Sequence, residues 1–181
     1  VFAEVVPSDI SAAKIAKDKD VKGVILSGGA RSVYEKNAPK FDKKILSLGI
    51  PILGICYGHQ LIANILGGKV VSGEAGEYGL TKIDVKRQFS ICGGMQKSSG
   101  VWMNHKDVVV GVPKGFISLA VTEHSPVAVF ANLDRKIFGV QFHPEVSHTK
   151  DGYKIFENFV LDICGCKKEW SQKSIIKNII D

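Results

Sequence analysis

Long apolar runs are missing from this 181-residue chain. No stretch approaches the ~18 consecutive apolar residues that a membrane-spanning helix requires, so we expect no membrane partner. The opening ten residues include Glu4, Pro7 and Asp9, where a signal peptide would be basic and then apolar. Hydrophobic residues make up 45% and charged residues 23%, which is typical of a globular domain. We therefore expect a globular protein of the cytoplasm.

Cysteine is scarce as well, with only Cys56, Cys92, Cys164 and Cys166. These are too few and too irregularly spaced for the disulfide framework of a secreted protein of this size. Cys164 and Cys166 are separated by one residue, whereas zinc knuckles use two to four and add a second ligand pair nearby. We expect reduced thiols and no bound metal.

Arginine is the third scarce residue, although the chain is basic. Lysine and arginine total 24 against 18 acidic residues, a net charge of +6. Such a charge can indicate a nucleic-acid partner. Here the lysines are spread along the whole chain, and no aromatic residues interleave with a basic cluster as stacking platforms would. The pattern favours a solvated lysine surface and no nucleic-acid partner.

The first third of the chain alternates strand-like and helix-like segments. Apolar runs at Val21–Ser27 and Ile50–Ile55 predict strands, and the spacing within Pro39–Leu48 predicts a helix between them. Gly58–Leu66 carries a second helical stripe, which stops at Gly67-Gly68. Such alternation predicts an α/β fold with an open, mostly parallel sheet flanked by helices.

The second half is predicted to be rich in strands. Short apolar segments divided by Gly, Pro, Asn and Asp indicate strands at Lys69–Val71, Leu80–Arg87, Val108–Val110, Phe116–Thr122, Pro126–Ala131 and Lys136–Phe142. Helical spacing returns over Lys150–Ile163, which predicts a helix that covers the sheet. Trp170–Ile180 is a separate segment, suited to a linker helix or a partner surface.

The strongest chemical signal is Gly54-Ile55-Cys56-Tyr57-Gly58, at the junction of a predicted strand and a predicted helix. This is the context of a nucleophile elbow, where small neighbours let the nucleophile stand exposed at the carboxyl edge of the sheet. The amino end of the following helix should favour the reactive thiolate of Cys56. The alternative is a structural cysteine buried after a strand.

A cysteine nucleophile needs a base, and the base needs an orienting acceptor. His143 and Glu145, which flank Pro144, follow the predicted strand that ends at Phe142 and offer both. The alternative is a loop histidine beside a solvated glutamate. Together with the elbow, the pair predicts a Cys-His-Glu catalytic triad.

An oxyanion hole for such a triad is usually built from backbone N–H groups. The residue after the nucleophile, Tyr57, supplies one donor, and Gly29 in the loop after the preceding strand can supply another. The same Ser27-Gly28-Gly29 sequence also begins the phosphate loop of ATP pyrophosphatases, which resembles SGGxDS. Arg31 stands where that loop has its acidic residue, which argues against ATP binding in this chain.

Three segments together resemble the class I glutamine amidotransferases: LSGGA at 26–30, GICYGHQ at 54–60 and GVQFHPEVSHT at 139–149. More narrowly, EYG at 77–79, VWMNHKD at 101–107, and DICGC at 162–166 with Trp170 resemble the glutaminase domains of GMP synthases. The resemblance covers essentially the whole chain. It implies that Cys56 is the nucleophile, His143 the general base and acid, and Glu145 its orienter, with Gly29 and Tyr57 as oxyanion donors. It also implies that Gln60, Asn104, His105 and Asp107 line the glutamine pocket.

The same resemblance implies a domain organisation and partners. Residues 1–166 would form the amidotransferase domain, without the first strand and helix of the family, and 167–181 a linker helix toward an ATP pyrophosphatase domain or subunit. That partner would use ATP and Mg²⁺ to aminate XMP with ammonia from glutamine, while this chain would need no cofactor. Ala30 replaces the usual proline after the two glycines. Two alternatives stay open: the same chemistry serving an anthranilate, carbamoyl phosphate or CTP synthetase, or a catalytically weak docking or regulatory module.

Overall fold

The computed structural model of the protein describes residues 1–168. In chain order the elements are helix α1 (Ala12–Lys17), strand β1 (Val24–Leu26), a 3-10 helix (Lys43–Ser47), strand β2 (Ile52–Ile55), helix α2 (Tyr57–Ile65), strand β3 (Lys69–Val85), a second 3-10 helix (Ser90–Cys92), strands β4 (Ser98–Gly111), β5 (Ile117–Val121), β6 (Val129–Asn132) and β7 (Ile137–Val140), helix α3 (Gly152–Glu157) and a π-helical segment (Asn158–Ile163). None of the helices in this part of the chain is both long and apolar enough to cross a membrane. From residue 169 onward, the linker helix predicted at 167–181 lies outside the residues that the structure describes.

The strands form one seven-stranded sheet in the order β1-β2-β7-β6-β5-β3-β4. The α/β class and the flanking helices predicted from the sequence are confirmed, and the sheet is mixed. β1, β2 and β7 run parallel, whereas every pairing from β7 to β4 is antiparallel. The fraction of strand pairs that are parallel is therefore smaller than predicted, because the strands of the second half are joined by hairpins rather than by helical crossovers. The three parallel strands end together at one edge.

Two apolar cores cover the two faces of the sheet. Alternate residues of β2 point to opposite sides, so Ile52 packs in one core and Leu53 in the other. Ile62 of α2 packs on the Ile52 side, together with residues of α1 and the first 3-10 helix. On the other side Phe159 packs edge-on against Phe138, at a ring centroid distance of 6.5 Å. This two-sided burial explains why β2 and β7 are buried at every position.

The β3–β4 hairpin is where the structure departs most from the predicted strands. The segments predicted at Lys69–Val71 and Leu80–Arg87 belong to one continuous strand of 17 residues, and its 14-residue partner β4 is predicted only at Val108–Val110. Glycines at 73, 76 and 79 indicate strand breaks in the sequence, but the strand continues through them, and Gly73 and Gly76 lie in an irregularity of the pairing between Ser72 and Glu77. A bulge of this kind keeps the ladder continuous on both sides.

Two helical predictions differ in type. The helix predicted at Pro39–Leu48 is a 3-10 helix of five residues, Lys43–Ser47. The helix predicted at Lys150–Ile163 begins as α3 and continues as the π-helical segment. A short helix that the sequence pattern did not predict, α1, is capped by the side chain of Ser11, which accepts a hydrogen bond from the Lys14 N–H at 3.2 Å.

Candidate active site

Cys56 sits on a strained turn between the end of β2 and the start of α2. Its φ is +51° and its ψ is −102°, a backbone conformation that a residue with a side chain rarely adopts and that costs about 1–3 kcal/mol. The flanking glycines make the turn possible. A Cβ on Gly54 would lie 2.5 Å from the carbonyl of Gly58, and a Cβ on Gly58 would lie 2.2 Å from the carbonyl oxygen of Leu26. The elbow geometry therefore follows from glycine at both positions.

The thiol of Cys56 is buried, and its surroundings keep it protonated. Burial raises its pKa to about 11, and the negative charge of Glu145 acts in the same direction. The Tyr57 N–H at the start of α2 and the Gln141 amide oppose this shift and are outweighed. The thiolate expected from the helix end is thus not the resting form, because desolvation exceeds the effect of the helix terminus. Reaction at this sulfur needs a base.

His143 and Glu145 follow β7 and contact each other directly. The Nδ1 of His143 lies 2.7 Å from a carboxylate oxygen of Glu145, which assigns the proton of that hydrogen bond to Nδ1. The Nε2 atom is buried and has no hydrogen-bond partner among the described residues, so it is left as the basic nitrogen. The His143 main chain is held on both sides: its N–H donates to Trp102 and its carbonyl accepts from Thr149, at 2.9 Å and 2.6 Å.

The loop after β1 joins these groups into one site. A Cβ on Gly28 would lie 3.1 Å from Cε1 of His143 and 3.7 Å from Cβ of Cys56, so both side chains flank the same point. The next residue, Gly29, lies against the ring of Tyr57, where a Cβ would be 3.3 Å from Cγ. Residues from the carboxyl ends of β1, β2 and β7 therefore meet, as expected for a site in an α/β sheet.

Of the four residues expected to line a glutamine pocket, Gln60 and Asn104 lie closest to the cysteine in the hydrogen-bond network. The main-chain carbonyl of Asn104 is 3.8 Å from the Cys56 sulfur, and its side chain lies on the exposed face of β4. The Gln60 amide donates to the Asp107 carbonyl at 2.8 Å and lies 3.3 Å from the Gln141 side-chain oxygen. Gln60 thus supports β4 from within the protein.

His105 and Asp107 make contacts that the sequence did not predict. Nδ1 of His105 lies 3.0 Å from the Asp107 carbonyl, and Nε2 lies 3.2 Å from a carboxylate oxygen of Glu77. Both ring nitrogens of this buried histidine therefore lie beside protein oxygens. The Asp107 carboxylate accepts a hydrogen bond of 2.9 Å from the hydroxyl of Tyr34, in the loop after β1.

The sequence assigned no role to three residues of this network: Tyr34, Glu77 and Gln141. Gln141 stands two residues before His143, and its amide lies 3.9 Å from the Cys56 sulfur. Strand alternation, which places residues two apart on one face, was a signal that could have identified it. Tyr34 has no such signal, and Glu77 stands in the EYG segment without an assigned role, because the partners of both are distant in the sequence.

Candidate metal ligands are not grouped in the described part of the chain. Within residues 1–168 no three His, Cys, Asp or Glu side chains lie close enough together to hold a metal ion. Cys164 lies instead in the packed region beside β1, where a Cβ on Gly23 would be 2.5 Å from its sulfur. Its burial raises the pKa of the thiol to about 11.

The described residues thus place a cysteine elbow, a histidine–glutamate pair and a glycine loop at one edge of a mixed sheet. The family model described as "Glutamine amidotransferase class-I" matches residues 1–163. The chain belongs to the class-I glutamine amidotransferase family, a family of glutamine-hydrolysing enzymes.

The particular relatives are GMP synthases. The chain is 49% identical over 181 residues to a glutamine-hydrolysing GMP synthase of Caldicellulosiruptor saccharolyticus, and 47% identical over 181 residues to that of Aquifex aeolicus. Each match covers 100% of this chain and 35% of the relative, so the chain spans about a third of these proteins.

Solved structures agree with this grouping. The crystal structure of a protein described as a GMP synthase subunit, from Thermoplasma acidophilum, superposes with a TM-score of 0.77 at 35% identity, covering 96% of this chain and 84% of that one. A glutamine amidotransferase of Thermotoga maritima superposes with a TM-score of 0.61 at 26% identity, over 88% of this chain and 66% of that one.

Proposed function

We propose that Cys56, His143 and Glu145 act as a catalytic triad that hydrolyses glutamine to glutamate and ammonia. The observation that carries the proposal is the convergence at Gly28 of the strained Cys56 and of a His143 ring oriented by Glu145. The contact between His143 and Glu145 leaves Nε2 able to accept a proton. The proposal thus accounts for a buried basic nitrogen and a protonated thiol at one edge of the sheet.

In the first step, the Cys56 sulfur attacks the carboxamide carbon of glutamine while His143 Nε2 takes the thiol proton. A carbon–sulfur bond forms, and the carbonyl π electrons move to oxygen. The N–H groups of Tyr57 and Gly29 stabilise that oxyanion. Tyr57 is well suited to this task because its N–H already interacts with the Cys56 sulfur. Collapse of the intermediate expels the amino group, which takes the proton from His143 and leaves as ammonia.

The second step restores the enzyme. His143 removes a proton from water, and the resulting hydroxide attacks the γ-glutamyl thioester. The carbon–sulfur bond breaks, glutamate leaves, and the sulfur regains its proton from His143. Glu145 stabilises the imidazolium that forms twice in this cycle, through the same Nδ1 hydrogen bond. Every proton and bond is accounted for by groups of this chain, the substrate and water.

The glutamine head group would bind on the β4 side of Cys56. Asn104 has an exposed side-chain amide and a main-chain carbonyl close to the Cys56 sulfur, and Gln60 supports this segment through the Asp107 carbonyl. The Asp107 carboxylate already accepts from Tyr34, and a carboxylate has further lone pairs for an α-ammonium group. We therefore keep Gln60, Asn104 and Asp107 in the proposed pocket and give His105 a different role below.

The ammonia is proposed to serve the amination of XMP to GMP. The GMP synthases that this chain matches are about three times as long, which leaves room for an ATP pyrophosphatase domain that binds ATP and Mg²⁺. In this proposal residues 1–166 form the glutaminase domain and 167–181 lead toward the synthetase, in the cytoplasm. The relatives named GMP synthase favour this acceptor over anthranilate, carbamoyl phosphate or CTP synthesis.

The test measures ammonia release from glutamine, alone and with an ATP pyrophosphatase partner, ATP, Mg²⁺ and XMP. Cys56→Ala should abolish release, and Cys92→Ala is the matched control because Cys92 is an equally buried thiol outside the site. A γ-glutamyl adduct on the Cys56 peptide should be detectable by mass spectrometry. Turnover that survives Cys56→Ala would refute the triad, and turnover without GMP formation would refute the proposed acceptor.

A further inference from the structure

We propose that His105 and Glu77 form a positioning pair that fixes the β4 segment beside Cys56 and thereby sets the turnover rate of glutamine hydrolysis. This inference rests on the proposed function and deepens it. Neither side chain is assigned a contact with substrate. The pair acts through main-chain and amide groups that lead to the nucleophile.

The two side chains form an enclosed histidine–carboxylate pair. Each is only 2% exposed, and His105 Nε2 lies 3.2 Å from Glu77 Oε2, close enough for an ion pair though not aligned as a hydrogen bond. The Glu77 carboxylate also accepts hydrogen bonds of 2.6 Å from the hydroxyls of Thr122 and Ser125. Burial alone would raise the pKa of Glu77, but His105 and these hydroxyls lower it to about 2. The carboxylate therefore stays charged and holds the ring in one orientation.

A continuous path runs from this ring to the cysteine. The Asp107 carbonyl receives both the His105 Nδ1 contact at 3.0 Å and the Gln60 amide at 2.8 Å. The Gln60 amide also lies 3.3 Å from the Gln141 oxygen, and the Gln141 amide lies 3.9 Å from the Cys56 sulfur. The Asp107 carbonyl and the side chains of Gln60 and Gln141 thus connect the His105 ring to the Cys56 sulfur.

A second connection passes through β4 itself. Asn104, the residue before His105, places its carbonyl 3.8 Å from the Cys56 sulfur. Neighbouring side chains of a strand point to opposite faces of the sheet. When the His105 ring is held in place on one face, the position of Asn104, both its carbonyl and its side chain, is therefore held as well. A shift of the His105 ring would therefore move the two groups that lie near the Cys56 sulfur, which are the Asn104 carbonyl and the Gln141 amide.

Stability alone does not account for a buried histidine–carboxylate pair at this place. Replacing a buried ion pair by apolar side chains of similar volume is often neutral or stabilising, because desolvation offsets the attraction. What an apolar pair could not supply is the Nδ1 donor to the Asp107 carbonyl and the fixed ring orientation behind it. The chemistry of the pair therefore fits positioning.

The experiment uses the full-length protein and three variants: Glu77→Gln, His105→Asn and His105→Gln. The asparagine amide can replace Nδ1 as the donor to Asp107, whereas the glutamine amide replaces Nε2 instead. We expect kcat to fall roughly 10- to 100-fold in Glu77→Gln and His105→Gln, as for a misplacement of about 1 Å at a reacting group, with partial recovery in His105→Asn. KM should change less than about threefold, because the pair acts on the reacting group rather than on ground-state binding.

Alkylation of Cys56 gives a readout that does not depend on glutamine turnover. Iodoacetamide labelling is followed on the Cys56 peptide and normalised to folded protein. Its rate should differ from the wild-type rate in Glu77→Gln and His105→Gln, and should differ less in His105→Asn. Asp84→Asn is the matched control, since Asp84 lies on the same strand but pairs with Lys82 at the surface, 3.9 Å away. It should leave both rates unchanged.

The outcomes separate cleanly. If the wild-type protein releases no ammonia, the proposed function fails, and the alkylation rates still decide the positioning role. Variants that only lower the melting temperature, with kcat and alkylation unchanged per folded molecule, would overturn it. A large rise in KM at unchanged kcat would also overturn it, because that result would place the His105 ring on the substrate.

Discussion

Gly58→Ala tests whether the contact between α2 and β1 builds the active site. The added Cβ would lie 2.2 Å from the Leu26 carbonyl oxygen, about 1 Å closer than the 3.4 Å at which ordinary van der Waals contact begins. Strand and helix must therefore separate by about that distance. Overpacking of this kind costs roughly 1–3 kcal/mol, and alanine in a helix recovers up to about 1 kcal/mol relative to glycine. The net loss of stability should thus stay below about 3 kcal/mol.

The effect on turnover should be larger than the effect on stability. Leu26 leads directly into the Gly28-Gly29 loop, so a shift of about 1 Å moves the proposed oxyanion donor away from Cys56, and such a displacement costs on the order of 100-fold in rate. The assay compares ammonia release and urea unfolding with those of Gly111→Ala, where the new Cβ would meet only ordinary contacts at 3.4 Å. A Gly58→Ala variant with wild-type turnover would refute the reasoning.

Three further predictions follow from the charges at and around the site. Because the pKa of Cys56 is about 11, iodoacetamide alkylation should rise close to tenfold per pH unit between pH 7 and 9.5; a plateau near pH 7 would instead indicate a stable thiolate. Glu145→Gln should lower kcat by roughly 100-fold with little change in melting temperature, since the carboxylate is 48% exposed, and unchanged kcat would remove it from the triad. The pKa of Glu77, about 2 in the folded chain, lies below its ordinary 4.5, so its stabilisation is complete above pH 4.5 and is lost as the pH falls toward 2. Urea unfolding at pH 5 and pH 3 should show a loss of about 2 kcal/mol that Glu77→Gln lacks, and equal losses in the two proteins would contradict the prediction.

The proposed chemistry was readable from local sequence because it depends on local geometry. Gly54 and Gly58 flank Cys56 for steric reasons that any tight strand-to-helix turn imposes, and the distances at both positions agree with that interpretation. His143 and Glu145 are two residues apart, so their contact needs only a short turn. The apolar runs of β2 and β7 likewise predicted buried strands, because burial on both faces leaves no room for polar alternation.

The tertiary structure decided what depends on distant partners. Glycines at 73, 76 and 79 indicated a break in the strand, yet pairing with β4 carries the strand through them, since a ladder tolerates a bulge when both flanks are paired. The protonated state of Cys56 follows from burial by elements that no local pattern describes, and it reverses the expectation drawn from the helix end. His105 is the clearest case: its role depends on Glu77, which is distant in sequence but lies opposite it in the β3–β4 hairpin. The sequence alone determined which groups can react, and only the fold decided which of them are charged and what holds them in place.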